Sequence, residues 1–156
     1  MTPVETLRAA PFFAGFSEPH LALVAGCARE QHYAQGSWLL RQNQVIHHCH
    51  LLCSGRVVLE ACDTRGVCVP MQTLEAGAML GWSWLQPPYQ SFFEARALTA
   101  VTTLALDCAS LRAAMEADHD FGYAFLQRAT RPLMSRLQAC RLQLIDVYAH
   151  PAETRR

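Results

Sequence analysis

The segment RVVLEACDTRGVCVPMQ, residues 56–72, decides the fold class. Two runs rich in apolar residues, 56–62 and 67–72, flank Asp63-Thr64-Arg65-Gly66, which fits a type I turn closed by a glycine with positive φ. The segment therefore predicts an antiparallel hairpin. Turn residues recur at intervals of roughly 8–12 residues over positions 29–108, a pattern typical of an antiparallel sandwich or barrel.

Helical patterns precede and follow this β segment. Residues 4–13 predict a short helix, and Ser17 fits the N-cap of a second one. After residue 108 the pattern predicts helices over 109–118 and 119–130, followed by a last helix over 132–148. Pro132 leaves two alternatives, because it either kinks one long helix or starts a new one. The prediction is one domain over 1–149, divided into 1–28 (helical), 29–108 (β-roll) and 109–149 (helical), with a tail over 150–156.

The last predicted helix carries an apolar repeat with 4-3-4-3 spacing. Such a repeat over about two heptads is typical of a coiled-coil seam. We predict that this seam joins two copies of the chain. The predicted dimer contacts are Leu133, Leu137, Cys140, Leu144 and Val147.

Composition excludes several classes of function. The 13 basic and 13 acidic residues balance, which argues against a nucleic-acid footprint. All 13 basic residues are Arg, so Schiff-base or P-loop lysine chemistry is excluded. The sequence has no apolar run long enough to span a bilayer, and no lipidation motif indicates a membrane surface.

The chain has seven cysteines, an odd number with scattered spacing. The first eleven residues lack the apolar segment of a signal peptide. We therefore predict a reducing cytoplasm, in which all the cysteines act as small apolar core residues.

The segment GWSWLQPPY, residues 81–89, predicts a glycine turn, a short helical start and a stop at Pro87-Pro88. Backbone N–H groups at such a start converge on one point, which attracts an anion. Two alternatives stay open for Trp82, Trp84 and Tyr89: they line a ligand pocket, or they fill the core.

The turn residues, taken together, resemble the cyclic nucleotide-binding domain of the catabolite activator protein superfamily, from Leu7 to Tyr148. Asn43 stands where that family usually has a glycine, and Asn is the next-best residue for positive φ. The resemblance implies a mainly β fold with flanking helices, namely a β-roll (jelly roll) with short N-terminal helices and a long C-terminal dimerisation helix. It is carried by Pro11 to Ser17, Gln35-Gly36, Ser54-Gly55-Arg56-Val57, Gly66, Glu75-Ala76-Gly77 and Leu80-Gly81.

In that family a Glu after the last of these glycines binds the ribose, and an Arg further on binds the cyclic phosphate. Here Trp82 replaces the Glu, and the Arg position falls near Gln90 or Ser91. A phosphate without its Arg loses a charge-assisted contact. The resemblance therefore implies the fold but not tight binding of a cyclic nucleotide. Family members that regulate transcription carry a further DNA-binding domain, for which residues 149–156 are too short, so we expect no DNA binding.

Six residues are expected to contact a ligand. Arg96 has an alternative, a solvated ion pair with Glu94 on the same strand face. Arg136, like Arg141, has the alternative of a charge flanking the coiled coil. The six are Gly81, Trp82, Ser83, Trp84, Arg96 and Arg136.

The run His47-His48-Cys49-His50, with Cys53 nearby, suggests a metal site. In a strand His48 and His50 point one way while His47 and Cys49 point the other, so four ligands cannot converge locally, and a two-His site on one face is the alternative. No catalytic pairing of residues stands out, and we do not expect an enzyme.

These observations predict a non-catalytic regulatory module that dimerises and acts on a partner protein. Single-domain relatives occur as small subunits of larger cytoplasmic redox enzymes, such as NAD-reducing hydrogenases, so the resemblance implies such a complex as the partner. It would take NAD(P)H, or another nucleotide-like or aromatic ligand, instead of cyclic AMP. The alternatives are a stand-alone nucleotide sensor and a metal sensor that uses His47–His50.

Overall fold

The computed structural model describes residues 1–150. It contains eight strands preceded by short helices and followed by two longer ones, which confirms the predicted fold class. The helices are α1 (Pro3–Ala9), α2 (Glu18–Gly26), α3 (Cys108–Ala117) and α4 (His119–Ala149), with short 3-10 helices at Pro11–Phe13 and Ser83–Leu85. The strands are β1 (Ala28–Tyr33), β2 (Trp38–Leu40), β3 (His48–Ser54), β4 (Val57–Cys62), β5 (Cys68–Leu74), β6 (Met79–Leu80), β7 (Glu94–Ala97) and β8 (Val101–Asp107).

The strands form two four-stranded antiparallel sheets. One has the order β1-β8-β3-β6 and the other the order β2-β7-β4-β5. The facing sides of the sheets enclose one apolar cluster, which includes Leu52, Leu59 and Leu80. A second cluster lies between the first sheet and the helices, with Phe121 and Phe125 fully buried in it. The long loop between β6 and β7 reaches this second cluster, which places it beside α4.

The predicted hairpin is present as β4 and β5. The Asp63 carboxylate accepts hydrogen bonds from the N–H groups of Arg65 and Val67 at 2.9 and 3.0 Å, and Gly66 has φ of +84°. Only a residue without a Cβ adopts this φ at little cost.

A disulfide joins Cys62 and Cys68 at the end of this hairpin. The prediction that all seven cysteines are unpaired core residues is therefore wrong for these two. The strand register places Cys62 directly opposite Cys68, and their spacing in the sequence does not reveal this pairing. Cys49 and Cys108 are fully buried, as predicted.

The predicted helix over residues 4–13 is wrong in its extent. It ends at Ala9, and Ala10 is extended with ψ of 132° before a separate 3-10 turn begins at Pro11. The ring of a proline disfavours helical geometry at the preceding residue, which explains the break. Ser17 caps α2 as predicted, since its hydroxyl accepts a hydrogen bond from the His20 N–H at 3.3 Å.

Helix α4 runs without interruption from His119 to Ala149 and includes Pro132. The prediction of two helices, 119–130 and 132–148, is therefore wrong, and the alternative of one long helix is correct. Its first half packs on the β-roll through Phe121, Phe125 and Ala129, while its last turns are exposed. No helix in residues 1–150 combines the length and the apolar character that a bilayer span requires.

Candidate functional site

A cavity of about 460 Å³ lies between the β6–β7 loop, the inner wall of the roll and helix α4. Gly81 has φ of +89°, and the chain turns at this residue as it leaves β6. A Cβ on Gly81 would lie 3.4 Å from the Leu40 side chain, which also lines the cavity. The lining residues are Leu40, Asn43, Ile46, Leu59, Leu80, Gly81, Trp82, Ser83, Leu85, Gln86, Pro87, Pro88, Gln90, Ser91, Phe92, Phe93, Leu126, Leu133 and Arg136.

Backbone hydrogen bonds hold the loop that covers the cavity against the β2–β3 loop. The Asn43 N–H donates to the Ser91 carbonyl at 2.8 Å, and the Ser91 N–H donates to the Gln44 carbonyl at 2.9 Å. Asn43 has φ of 65°, as its predicted role in a turn requires. The Ser91 hydroxyl donates to the Phe93 carbonyl at 2.7 Å, so its proton is already engaged within the loop.

The two tryptophans of the loop take different positions. Trp82 is 7% exposed, forms part of the cavity wall and lies 5.4 Å from the Phe12 ring centre. Trp84 is fully buried, 5.6 Å from Phe125, and fills the core instead of lining the cavity. Trp82 therefore lines the cavity and Trp84 fills the core, while the Tyr89 ring stacks against Arg112 and does not line the cavity.

Arg136 is the one charged side chain among the residues that line the cavity within positions 1–150. Its Nε donates to the Gln72 side-chain oxygen at 3.3 Å, and its guanidinium lies 5.4 Å from the Phe93 ring centre. Burial lowers the pKa of Arg136 from its usual value, yet a guanidinium stays charged at any physiological pH. A positive charge thus faces an otherwise uncharged wall.

The sequence model of the cyclic nucleotide-binding domain matches residues 30–118, more than half of the chain. The chain belongs to this family. The match spans nearly all of the β-roll and helix α3, and it includes the loop that covers the cavity. The predicted resemblance to the cyclic nucleotide-binding domain is confirmed.

Solved structures agree with this assignment. A candidate cyclic nucleotide-binding protein from Geobacter metallireducens is 26% identical with a TM-score of 0.77, and the match covers 88% of this chain and 98% of that one. The catabolite activator protein of Thermus thermophilus is 21% identical, with a TM-score of 0.72 over 90% of this chain and 63% of that one. A regulatory subunit of a cAMP-independent protein kinase A from Trypanosoma cruzi, bound to guanosine, is 16% identical, with a TM-score of 0.64 over 69% of this chain and 38% of that one. The search of curated proteins found no match.

In this cyclic nucleotide-binding domain, four of the six predicted ligand residues share the cavity wall: Gly81, Trp82, Ser83 and Arg136. The prediction that Trp84 and Arg96 join them is not met, because Trp84 fills the core and Arg96 forms an ion pair with Glu60 at 2.9 Å. The alternative pairing of Arg96 with Glu94 is also wrong, since Glu94 pairs with Arg41 at 2.9 Å. Strands β4 and β2 lie on either side of β7; Glu60 lies on β4, and Arg41 directly follows β2.

The histidine run of the domain lies on β3 and the residue before it. His50 is buried and contacts the Thr103 hydroxyl through Nδ1 at 3.2 Å, while His48 Nε2 lies 3.0 Å from the Arg29 guanidinium. Burial lowers the pKa of His50 to about 4. Within residues 1–150 no three His, Cys, Asp or Glu side chains converge as metal ligands, so the metal-sensor alternative gains no support.

Arg112 also shapes the site, although the sequence did not indicate it as a functional residue. Arg112 of α3 donates to the Trp84 carbonyl at 2.9 Å and stacks over the Tyr89 ring at 4.1 Å. It therefore ties the covering loop of the domain to helix α3. The contact spans 28 positions in the sequence, and no local pattern could have indicated it.

Proposed function

We propose that this chain is a non-catalytic regulatory module whose 460 Å³ cavity binds an aromatic, nucleoside-like ligand. The observation that carries the proposal is the composition of the wall, which is largely apolar and has Arg136 as its one charged side chain. Sites for small organic ligands have volumes of about 300–1,000 Å³ and a few placed polar groups. This cavity fits that description, and its wall suits a flat ring better than a polyanion.

The contacts at the two anchor positions argue against a cyclic nucleotide as the main ligand. Trp82 stands where the family has its ribose-binding Glu, and its indole packs on Phe12. At the position of the phosphate-binding Arg, Gln90 is uncharged and the Ser91 hydroxyl already donates within the loop. A cyclic phosphate would therefore have Arg136 as its one charged partner in the cavity wall.

One solved structure with this fold holds a ligand without phosphate. The Trypanosoma cruzi regulatory subunit, which shares the fold, is bound to guanosine, a nucleoside without phosphate. For the present chain we propose a nucleoside, a nucleobase or the aromatic end of a larger cofactor such as NAD(P)H. The Arg136 guanidinium would then donate a hydrogen bond to a carbonyl or hydroxyl oxygen of that ligand.

We further propose that two chains pair through α4. Leu137 and Leu144, two seam positions, are 57% and 54% exposed, and an amphipathic helix end of this kind needs a partner surface. Leu133 and Arg136 of the same helix line the cavity. A ligand in the cavity would therefore contact the same helix that forms the dimer. We propose that the dimer responds to the ligand and acts on a partner protein, namely a larger cytoplasmic redox enzyme complex.

Calorimetry with tryptophan fluorescence tests the ligand proposal. The probes are adenosine, guanosine, cyclic AMP, cyclic GMP and NADPH, added to the full chain. We expect a nucleoside or NADPH to bind at least as tightly as either cyclic nucleotide. Arg136→Gln should weaken that binding about tenfold, since a hydrogen bond to a charged group contributes about 1.5 kcal/mol or more.

The matched control is Arg141→Gln, an exposed arginine on the same helix that lies outside the cavity wall. It should leave the affinity unchanged. Binding of cyclic AMP ten times tighter than adenosine would refute the proposal and establish the stand-alone cyclic-nucleotide sensor instead.

A further inference from the structure

A second cavity, of about 390 Å³, opens on the other side of the β2–β3 loop, between strands β1, β2 and β3. We infer that this cavity is a site for a small oxyanion such as the phosphoryl group of a phosphate ester. The inference is independent of the ligand proposed for the first cavity. The cationic and imidazole groups of the cavity wall belong to Arg29, Arg41, His47, His48 and His50.

The wall of this cavity combines positive and neutral groups. Two guanidiniums and three imidazoles line it, and none of its lining residues within positions 1–150 is acidic. Arg29 has no carboxylate within ion-pair distance in that part of the chain, and its Nη2 lies 3.0 Å from His48 Nε2. Arginine suits an oxyanion because its planar guanidinium offers several parallel N–H donors.

Two carboxylates approach the site from outside the wall. Glu94 pairs with Arg41 at 2.9 Å, and Asp107 lies 4.0 Å from His48 Nε2. The Asp107 Oδ2 accepts hydrogen bonds from the Ser110 N–H and hydroxyl at the start of α3, while its Oδ1 is the oxygen that lies 4.0 Å from His48. Of the two guanidiniums in the wall, Arg41 is paired with a carboxylate and Arg29 has no carboxylate within ion-pair distance among residues 1–150.

His50 provides a buried polar group at the bottom of the cavity. The residue is 2% exposed, its Nδ1 contacts the Thr103 hydroxyl, and its Nε2 has no hydrogen-bond partner among residues 1–150. When the Thr103 hydroxyl donates to Nδ1, the imidazole proton resides on Nε2, which then acts as a donor. An anion oxygen in the cavity would accept a hydrogen bond from this N–H.

The same features disfavour a metal ion at this place. A divalent cation would sit beside two guanidiniums, and like charges at short distance repel strongly in a partly buried site. Arg41 is also held at the rim, where its guanidinium stacks over the Trp38 ring at 4.5 Å. The cluster that resembles a metal site in the sequence is therefore better suited to bind an anion.

The test titrates inorganic phosphate and glycerol phosphate into the full chain at pH 7.5, with sodium chloride at matched ionic strength as reference. Imidazole NMR signals of His48 and His50, together with calorimetry, report binding. We expect saturable shifts with a Kd below about 1 mM, equivalent to more than roughly 4 kcal/mol of binding energy. Arg29→Gln should weaken this binding at least about fivefold.

Two further variants separate the possible outcomes. Arg56→Gln removes an exposed arginine outside the cavity and should leave phosphate affinity unchanged. Arg136→Gln alters the first cavity and should also leave the phosphate affinity unchanged. A failure of the phosphate site can therefore be distinguished from a failure of the proposed function. Shifts that do not saturate, or an equal loss in Arg29→Gln and Arg56→Gln, would overturn the inference.

Discussion

At the scale of single residues, His50 makes the stability of the fold depend on pH. Its pKa is lowered from 6.5 to about 4 by burial, so the folded chain binds fewer protons than the unfolded chain between these two values. Stability is therefore fully present above pH 6.5 and decreases as the pH falls towards 4. We predict a loss of about 2 kcal/mol between neutral pH and pH 5, measured by urea unfolding at each pH.

The variant His50→Asn keeps a polar atom near Thr103 and removes this titration. Its unfolding free energy should change less between pH 7 and pH 5 than that of the native chain. His32→Asn is the control, because His32 lies exposed on β1. The unfolding free energy of this variant should depend on pH as that of the native chain does. If the unfolding free energies of His50→Asn and the native chain change equally with pH, other groups cause the pH dependence.

Residues whose role is local could be predicted from the sequence, and residues whose partners are distant could not. Gly66, Gly81 and Asn43 all adopt the positive φ that their turns require, because this requirement is set within a few residues. Arg96 and Arg112 find partners 36 and 28 positions away, through strand pairing and helix packing. The cavity wall depends on such contacts, which is why the sequence placed Arg96 in a wall that it does not line.

At the scale of elements, α4 shows how packing overrides a local signal. Pro132 lacks the N–H that would bond to the Arg128 carbonyl, and for this reason the sequence leaves a break and a continuous helix as alternatives. The structure keeps the helix continuous, with Phe125 and Ala129 buried before the proline and Arg136 half-buried after it. Contacts on both sides of Pro132 hold the helix in line, which no local pattern expresses.

The apolar seam of α4 yields a prediction about assembly. Leu137→Arg and Leu144→Arg should each convert dimers into monomers, because a charge buried in an apolar interface costs several kcal/mol. Both side chains are more than half exposed in the single chain, so the fold itself should tolerate the changes. Sedimentation velocity measures the mass, and circular dichroism verifies the fold.

The control for the seam is Gln138→Arg, a charge placed at a polar position beside Leu137. This variant should remain a dimer. If both leucine variants sediment as dimers, the seam is not the interface and the chains pair elsewhere.

At the scale of the whole molecule, one loop separates the two cavities. Leu40 and Ile46 line both cavities. The loop between these two residues is held against the β6–β7 loop, which covers the first cavity, because the Ile46 N–H donates to the Tyr89 carbonyl at 2.8 Å. The order of turn glycines in the sequence predicts the roll that creates this arrangement. The shared wall depends on the pairing of distant segments and emerges only in the folded chain.

This shared wall predicts that the two sites are coupled. An anion held by Arg29 would fix the loop around Ile46, and a fixed loop changes the shape that a nucleoside meets on its other side. We expect saturating phosphate to change the affinity for a bound nucleoside by about fivefold or more, and the nucleoside to change the phosphate affinity by the same factor, since coupling between two sites is reciprocal. Calorimetric titrations of each ligand with and without the other measure both factors, and Arg29→Gln should abolish the effect while leaving nucleoside binding alone intact. Affinities that stay the same when both sites are demonstrably filled would mean that the loop is rigid and the cavities act independently.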